Sequence, residues 1–371
     1  MISCNPVRID EDGRSAVASV LDSGLVARGP SLARLEESFR GMTGAEHAVP
    51  VANGTAALLL AGMAIGLHAG DTVLVPALSF AATANAFLAL GCQVVAVDVG
   101  LRSHNVDAGA LGAALDAYPG ARALVVVDLF GSTVGTDAAI SLARRRGLAV
   151  IEDAAQAVGA HTEDGAPIGR RSDATTFSLY ATKNVFAGEG GVVVSPHGDV
   201  ARRVRSLSDH ETVELNGRRL VGLNYRMNEL GAALAVSQMP KLASFVRLRR
   251  ERARRLADAC RTSWQGRVAV PEEAWHADDL DAPRHVFHQF TVQASDEATR
   301  ASLQERLRVA GVETRRFYPY TLASLPGVTA SHVPTGERAA SCCFSLPIAH
   351  LLTDAEFEGV LAAVGACGLP G

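Results

Sequence analysis

Three short stretches of this chain carry residue types that could do covalent chemistry together. "SLYATKN" places a lone lysine, Lys183, between a β-prone run and the small-residue turn "AGEGG". A lysine held near apolar walls loses proton affinity and becomes a nucleophile and base. "VIEDAAQAVGA" ends an apolar run on Glu152 and Asp153, with Gln156 three positions after Asp153. A carboxylate there needs a cationic partner or several donors to stay charged. "VANGTAAL" sets Asn53, Gly54 and Thr55 at a strand-to-helix turn, with Thr55 as the expected N-cap. Free N–H groups and a hydroxyl at such a turn make a phosphate cradle. Taken singly, these are also what a capped helix or a structural ion pair looks like. Taken in order, they are the parts a pyridoxal phosphate site requires: a lysine for the Schiff base, an aspartate to keep the pyridine nitrogen protonated, and a grip for the phosphate.

These residues must be positioned by strands. Short apolar runs read as strands at 48–52, 72–76, 93–99, 123–130, 148–154, 174–180 and 191–195. Helical patterns lie between them at 55–65, 81–89, 106–117 and 137–146. That alternation predicts an α/β fold, a mostly parallel seven-stranded sheet with helices on both faces. Several strands are apolar throughout, as both-sided coverage demands. Ligands of such sheets gather at the carboxyl ends of the strands, and Asp153 and Lys183 sit near two such ends.

The pattern changes near residue 245. "KLASFVRLRRERARRLADAC" reads as a basic amphipathic helix with its arginines on a solvated face. "HVFHQFTVQ", "GVETRRFYPY" and "CCFSLPI" read as strands, with helices at 296–310 and 354–366. The expected division is a large domain over 1–244 and a smaller C-terminal α+β domain over 245–371.

Composition excludes other classes. The 371 residues carry a net charge of −4, so no general pull toward nucleic acid or an anionic membrane is expected. No apolar run reaches the roughly 18 residues of a membrane span, and "MISCNPVRIDEDG" lacks a signal-peptide core. A cytoplasmic protein is expected. Six cysteines without a CxxC spacing do not form a disulfide framework, and Cys342 and Cys343 read as buried small hydrophobes. Eleven histidines without ligand-like spacing predict no metal. There is no GxxxxGK[ST] or HExxH segment, and "GEGG" precedes a strand rather than a helix.

Nearly end to end, the chain resembles the DegT/DnrJ type of sugar aminotransferases, a group of fold-type I pyridoxal-phosphate enzymes. The segments "SGLVARGPSLARLEESFRGMTGAEHAVPVANGTAAL", "VPALSFAATANAFLALG", "VIEDAAQAVGA", "FSLYATKNVFAGEGG", "GLNYRMNELGAAL" and "SLPIAHLLTDAEF" carry the resemblance. It implies that Lys183 bears the cofactor, Asp153 pairs with the pyridine nitrogen, and Gln156 bonds near the ring's 3-oxygen. Phe80 matches the aromatic that stacks on the ring, and Gly54, Thr55 and Ser178 match phosphate ligands. Asn224 matches a residue that reaches a neighbouring subunit's phosphate, which implies a homodimer with shared sites.

The resemblance implies a ping-pong transfer from glutamate or glutamine to a keto-sugar, nucleotide-linked, with Lys183 shuttling the proton. Three positions depart from the family pattern. Phe317 stands where histidine is frequent, Glu211 follows His210 where glycine is usual, and Asp128 replaces a common histidine. All three fall where the family shapes the acceptor pocket or the dimer contact. A keto-cyclitol or other non-nucleotide ketone is therefore the alternative acceptor, with Arg28, Tyr180, Phe317 and Tyr318 as candidate pocket residues. A non-catalytic cofactor-binding regulator is a third reading, opposed by the acidic balance and the lack of a DNA-binding motif.

Overall fold

The structure is a computed structural model that describes residues 1–271, 282–330 and 332–368. Two helices open the chain, α1 (Glu11–Ser23) and α2 (Pro30–Thr43). There follow β1 (His47–Val51), α3 (Gly54–Ala64), β2 (Thr72–Pro76), α4 (Ala82–Ala89), β3 (Gln93–Val97) and α5 (Ala108–Ala117). Next come β4 (Ala121–Val127), α6 (Thr136–Arg145), β5 (Ala149–Asp153), β6 (Ala174–Ser178), β7 (Gly191–Ser195) and α7 (Gly198–Leu207). All seven expected strands join one sheet, in the order β1-β7-β6-β5-β4-β2-β3. An eighth, β12 (Val328–Ala330), joins beside β3 from far along the sequence. β7 is antiparallel to both β1 and β6, and every other pairing is parallel. All strands but β7 therefore point their carboxyl ends the same way.

Side chains that alternate along these strands feed two cores. Val73, Val75, Ala123, Val125 and Ile151 pack with α3, α4 and α7. Leu74, Leu124, Val126 and Val150 pack with α5 and α6 on the opposite face. Each such valine, leucine or isoleucine contributes about 1.5–3 kcal/mol when buried. On β5 the alternation continues past the apolar residues. Glu152 falls on the α6 face, and Asp153 falls on the α3–α4 face.

β8 (Thr212–Leu215) and β9 (Arg218–Val221) form a hairpin that is absent from the expected strands. Its turn residues, Asn216 and Gly217, both have positive φ. An Asn-Gly pair between β-prone runs was the available signal. After α8 (Glu229–Gln238), α9 (Leu242–Trp264) leads toward a second sheet, in the order β10 (Val268–Ala269), β11 (Phe290–Ala294), β13 (Cys343–Leu346). α10 (Glu297–Val309), α11 (Pro334–Cys342) and α12 (Asp354–Ala366) complete this part. Ile2 bridges Val312, so the amino terminus packs with the carboxyl-terminal part.

Two expectations fail here. The arginines of α9 do not all coat a solvated face, since Arg249, Arg250 and Arg252 are 2–3% exposed. They are drawn inward by carbonyl groups. Arg249 donates to the carbonyls of Phe287 and His288 at 2.8 and 3.1 Å, Arg250 to that of His285, and Arg252 to that of Ala349. Burial, with Arg252 nearby, pushes Arg249 down to about 9. "GVETRRFYPY" is not a strand either. It makes single bridges at Val312 and Arg315, then turns away, and Pro319 has no N–H for a ladder. The six cysteines are buried and unpaired, and no helix among the described residues is long and apolar enough to cross a membrane.

Candidate active site

A cavity of about 520 Å³ opens at the carboxyl ends of β4, β5 and β6. Asp153, the last residue of β5, projects into it, and Lys183 enters from the loop between β6 and β7. Gly54, Thr55, Phe80, Gln156, Ser178, Tyr180, Phe317 and Tyr318 line the same space. A larger groove of about 650 Å³ runs between α2 and the α8–α9 junction, but the lysine and the carboxylate are elsewhere.

The cradle forms one residue earlier than expected. Asn53, not Thr55, is the N-cap of α3, and its Oδ1 accepts from the Ala56 N–H at 2.8 Å. The helix begins at Gly54, which leaves the Gly54 and Thr55 N–H groups as first-turn donors without a helical acceptor. The "GEGG" turn serves this geometry. A Cβ at Gly191 would lie 2.5 Å from the Asn53 carbonyl oxygen, so only glycine lets β7 pass that close.

At the other end, Asp153 accepts from Thr83 Oγ1 on α4 and from the Ala155 N–H. Burial raises its pKa, and these donors and the Lys183 charge oppose the rise. Lys183 is pushed down to about 8 by burial, with Asp153 pulling it back up. Gln156 accepts from the Phe130 N–H at 2.6 Å and donates to the Tyr318 hydroxyl at 3.1 Å. Tyr318 is thereby tied to the floor of the site, and its ring centroid lies 5.6 Å from that of Phe80.

Among the wall residues that were not legible as site residues are Asn5, Thr83, Glu189, His288 and Gln289. His288 is buried, its Nδ1 lies 3.3 Å from Asn184 Oδ1, and Arg249 clamps its carbonyl. Burial, then the charge of Lys183, holds it well below the ordinary histidine range. Its segment read only as a strand. Two expected residues lie outside the cavity of their own chain. Arg28 pairs with Asp209, which also takes Arg226. Asn224 is exposed and bridges Asp209 on the same face.

The chain matches the model of the DegT/DnrJ/EryC1/StrS aminotransferase family over residues 7–365. It belongs to that family. It is 32% identical to the GDP-perosamine synthase of Caulobacter vibrioides, covering 98% of this chain and 97% of that one. It is 30% identical to the UDP-N-acetyl-3-dehydro-alpha-D-glucosamine 3-aminotransferase of Acidithiobacillus ferrooxidans, covering 94% and 92%. Among solved structures, the aminotransferase TlmJ from Streptoalloteichus hindustanus superposes with a TM-score of 0.88 at 28% identity, covering 99% and 98%. This aminotransferase is accordingly an enzyme of the pyridoxal-phosphate-dependent kind.

The residues present fit that cofactor. The α3 terminus with Thr55 and Ser178 offers uncharged donors and a helix dipole to a phosphate. Asp153 suits a protonated ring nitrogen, Phe80 can flank a flat ring, and Lys183 is the amine between them. When bound, pyridoxal phosphate supplies an electron-accepting ring that acidifies the carbon carrying the substrate amine. The protein's part would be proton handling at Lys183 Nζ. An amine of lowered proton affinity can both take and return that proton near neutral pH.

Proposed function

We propose that this aminotransferase takes an amino group from glutamate or glutamine and delivers it to the ketone of a nucleotide-linked keto-sugar. What carries the reading is the convergence of Lys183, Asp153 and the α3 cradle in one cavity, in a chain matched over residues 7–365. Relatives named for GDP- and UDP-linked sugars support the acceptor class. So do walls rich in neutral polar groups, Asn5, Gln156, Gln289 and Tyr318, which suit a hydroxylated ligand. The test is an acceptor screen of nucleotide-linked keto-sugars against free keto-cyclitols, read by mass spectrometry. Amination of a keto-cyclitol with no turnover of any nucleotide sugar sinks the sugar reading.

The working unit is a homodimer, with Asn224 of each chain completing the other's phosphate site. Asn224 is exposed and outside its own cavity, and Leu21, Leu25, Val26, Val221 and Leu223 are exposed large hydrophobics. Leu223 adjoins Asn224, and Asp209 both bridges Asn224 and pairs with Arg28, which brings the segment after α1 beside Asn224. An apolar patch of that kind marks an interaction surface. Six unpaired cysteines agree with a cytoplasmic location.

A further inference from the structure

Directly behind Asp153, three carboxyl groups share one guanidinium. Arg171, in the loop before β6, donates through Nε to Glu152 at 2.7 Å, through Nη1 to Asp137 at 2.7 Å, and through Nη2 to Asp128 Oδ1 at 3.2 Å. The side chains of Asp128 and Glu152 are wholly buried, Arg171 is 12% exposed and Asp137 31%. Glu152 is otherwise well supplied, with Thr175 Oγ1 at 2.9 Å on its second oxygen. Asp128 is not. Its Oδ2 is sealed from solvent and, among the described residues, meets no N–H or hydroxyl donor.

With Asp137 reaching solvent, ionised Asp128 and Glu152 around one guanidinium would leave a net negative charge in a dry site. Asp128 would also leave a buried oxygen without a partner, a costly arrangement on both counts. Arg171 Nη2 lies against both Asp128 Oδ1 and Glu152 Oε1, so the two buried carboxyl groups crowd one nitrogen. We propose that Asp128 is a carboxylic acid that donates its proton-bearing oxygen to the Glu152 carboxylate, and that this pair positions Asp153. A proton held by the pair removes one negative charge and puts a donor between two crowded acceptors.

The charged groups facing Asp128 agree with this state. β5 presents Glu152 and Asp153, both negative, α6 presents Asp137 through Arg171, and Arg171 is the one cation among them. Burial first, then Glu152, push Asp128 well above the ordinary aspartate range, against the pull of Arg171. The pair acts on Asp153 through the backbone. The Asp128 N–H donates to the Asp153 carbonyl at 3.0 Å, and Glu152 is its neighbour in the chain. Asp128 is thus a positioning residue, on the sheet face opposite to the cofactor carboxylate.

The test compares Asp128→Asn and Asp128→Ala with wild type as holoenzymes. An asparagine amide donates where the acid did, so infrared difference spectra at neutral pH should show a protonated-carboxyl band lost in Asp128→Asn. No lost band overturns the proposal. For stability, a folded-state pKa above the unfolded value gives a contribution full near pH 4 and lost as pH rises toward the folded value. Asp128→Asn lacks that loss. Its melting temperature should match or exceed wild type, with a margin that widens from about pH 5 to about pH 8. A variant that melts as low as Asp128→Ala, with a margin independent of pH, shows an ionised, salt-bridged Asp128 and sinks the idea. For positioning, Asp128→Ala should weaken cofactor binding severalfold and Asp128→Asn should restore it. Equal affinity in all three proteins overturns the link to Asp153.

Discussion

Thr83 donates a 2.9 Å hydrogen bond to Oδ2 of Asp153, joining α4 to the end of β5. The bond fixes the carboxylate proposed to meet the cofactor's ring nitrogen and opposes its uptake of a proton. Asp153→Ala should keep the cofactor through the α3 cradle while the half-reaction with the amino donor slows by on the order of 10²-fold or more. Thr83→Val removes one donor of two and should slow it by on the order of tenfold. Stopped-flow absorbance with glutamate or glutamine reads both. Near-normal turnover in Asp153→Ala would remove Asp153 from the site.

Lys183 should show its depressed pKa in the cofactor-free protein. Its folded value of about 8 lies below the ordinary 10.5, so holding the ammonium opposes folding fully below pH 8. That penalty fades as pH rises from the folded value to the unfolded one. Lys183→Met apoprotein should therefore be more stable than wild type at neutral pH by on the order of 1–3 kcal/mol. The advantage should shrink between about pH 8 and about pH 10.5. Denaturant titrations across pH measure it, and a constant difference would mean an unperturbed lysine. In the holoenzyme, borohydride followed by peptide mapping should place the label on Lys183.

Gly191 tests the cradle. A methyl group there meets the Asn53 carbonyl oxygen at 2.5 Å, and backbone cannot give way as a flexible side chain can. Gly191→Ala should cost about 1–3 kcal/mol of stability through overpacking. It should also weaken cofactor binding, because the Asn53–Gly54 turn must move. Equilibrium dialysis checks this, and unchanged affinity would show that the turn does not hold the phosphate.

Asn224 tests the shared site. A helix-capping role would make its loss cost about 1 kcal/mol and leave cofactor affinity unchanged. The observed cap of α8 is Asn228, not Asn224. Asn224→Ala should instead weaken cofactor binding. Mixed with Lys183→Ala chains, it should recover one intact site per heterodimer, since the lysine-deficient chain supplies its Asn224 to the working lysine. No gain in activity, with heterodimers confirmed by native mass spectrometry, rules out completion in trans.

The sequence by itself determined seven strands of the large sheet, the helices between them, and the candidate pair Asp153 and Lys183. Those signals are local. An apolar run that stops on Asp153 or a lysine beside "GEGG" can be read within a few residues, because strand ends and turns are set by neighbouring residue types. The tertiary structure decided what surrounds them. Thr83 reaches Asp153 because the sheet order places β2 beside β4, which brings α4 over the end of β5. Phe317 and Tyr318 come to the cavity because a presumed strand breaks off after Arg315. Arg249 goes inward because the carbonyls of Phe287 and His288 need donors, which no periodicity of α9 reveals. Asp128 looked like a substitution at the pocket, and its place behind Asp153 follows from the β4–β5 register. Contacts between distant segments depend on how the chain crosses itself, and burial then changes the charge a residue can hold. Neither is written in the residues on either side.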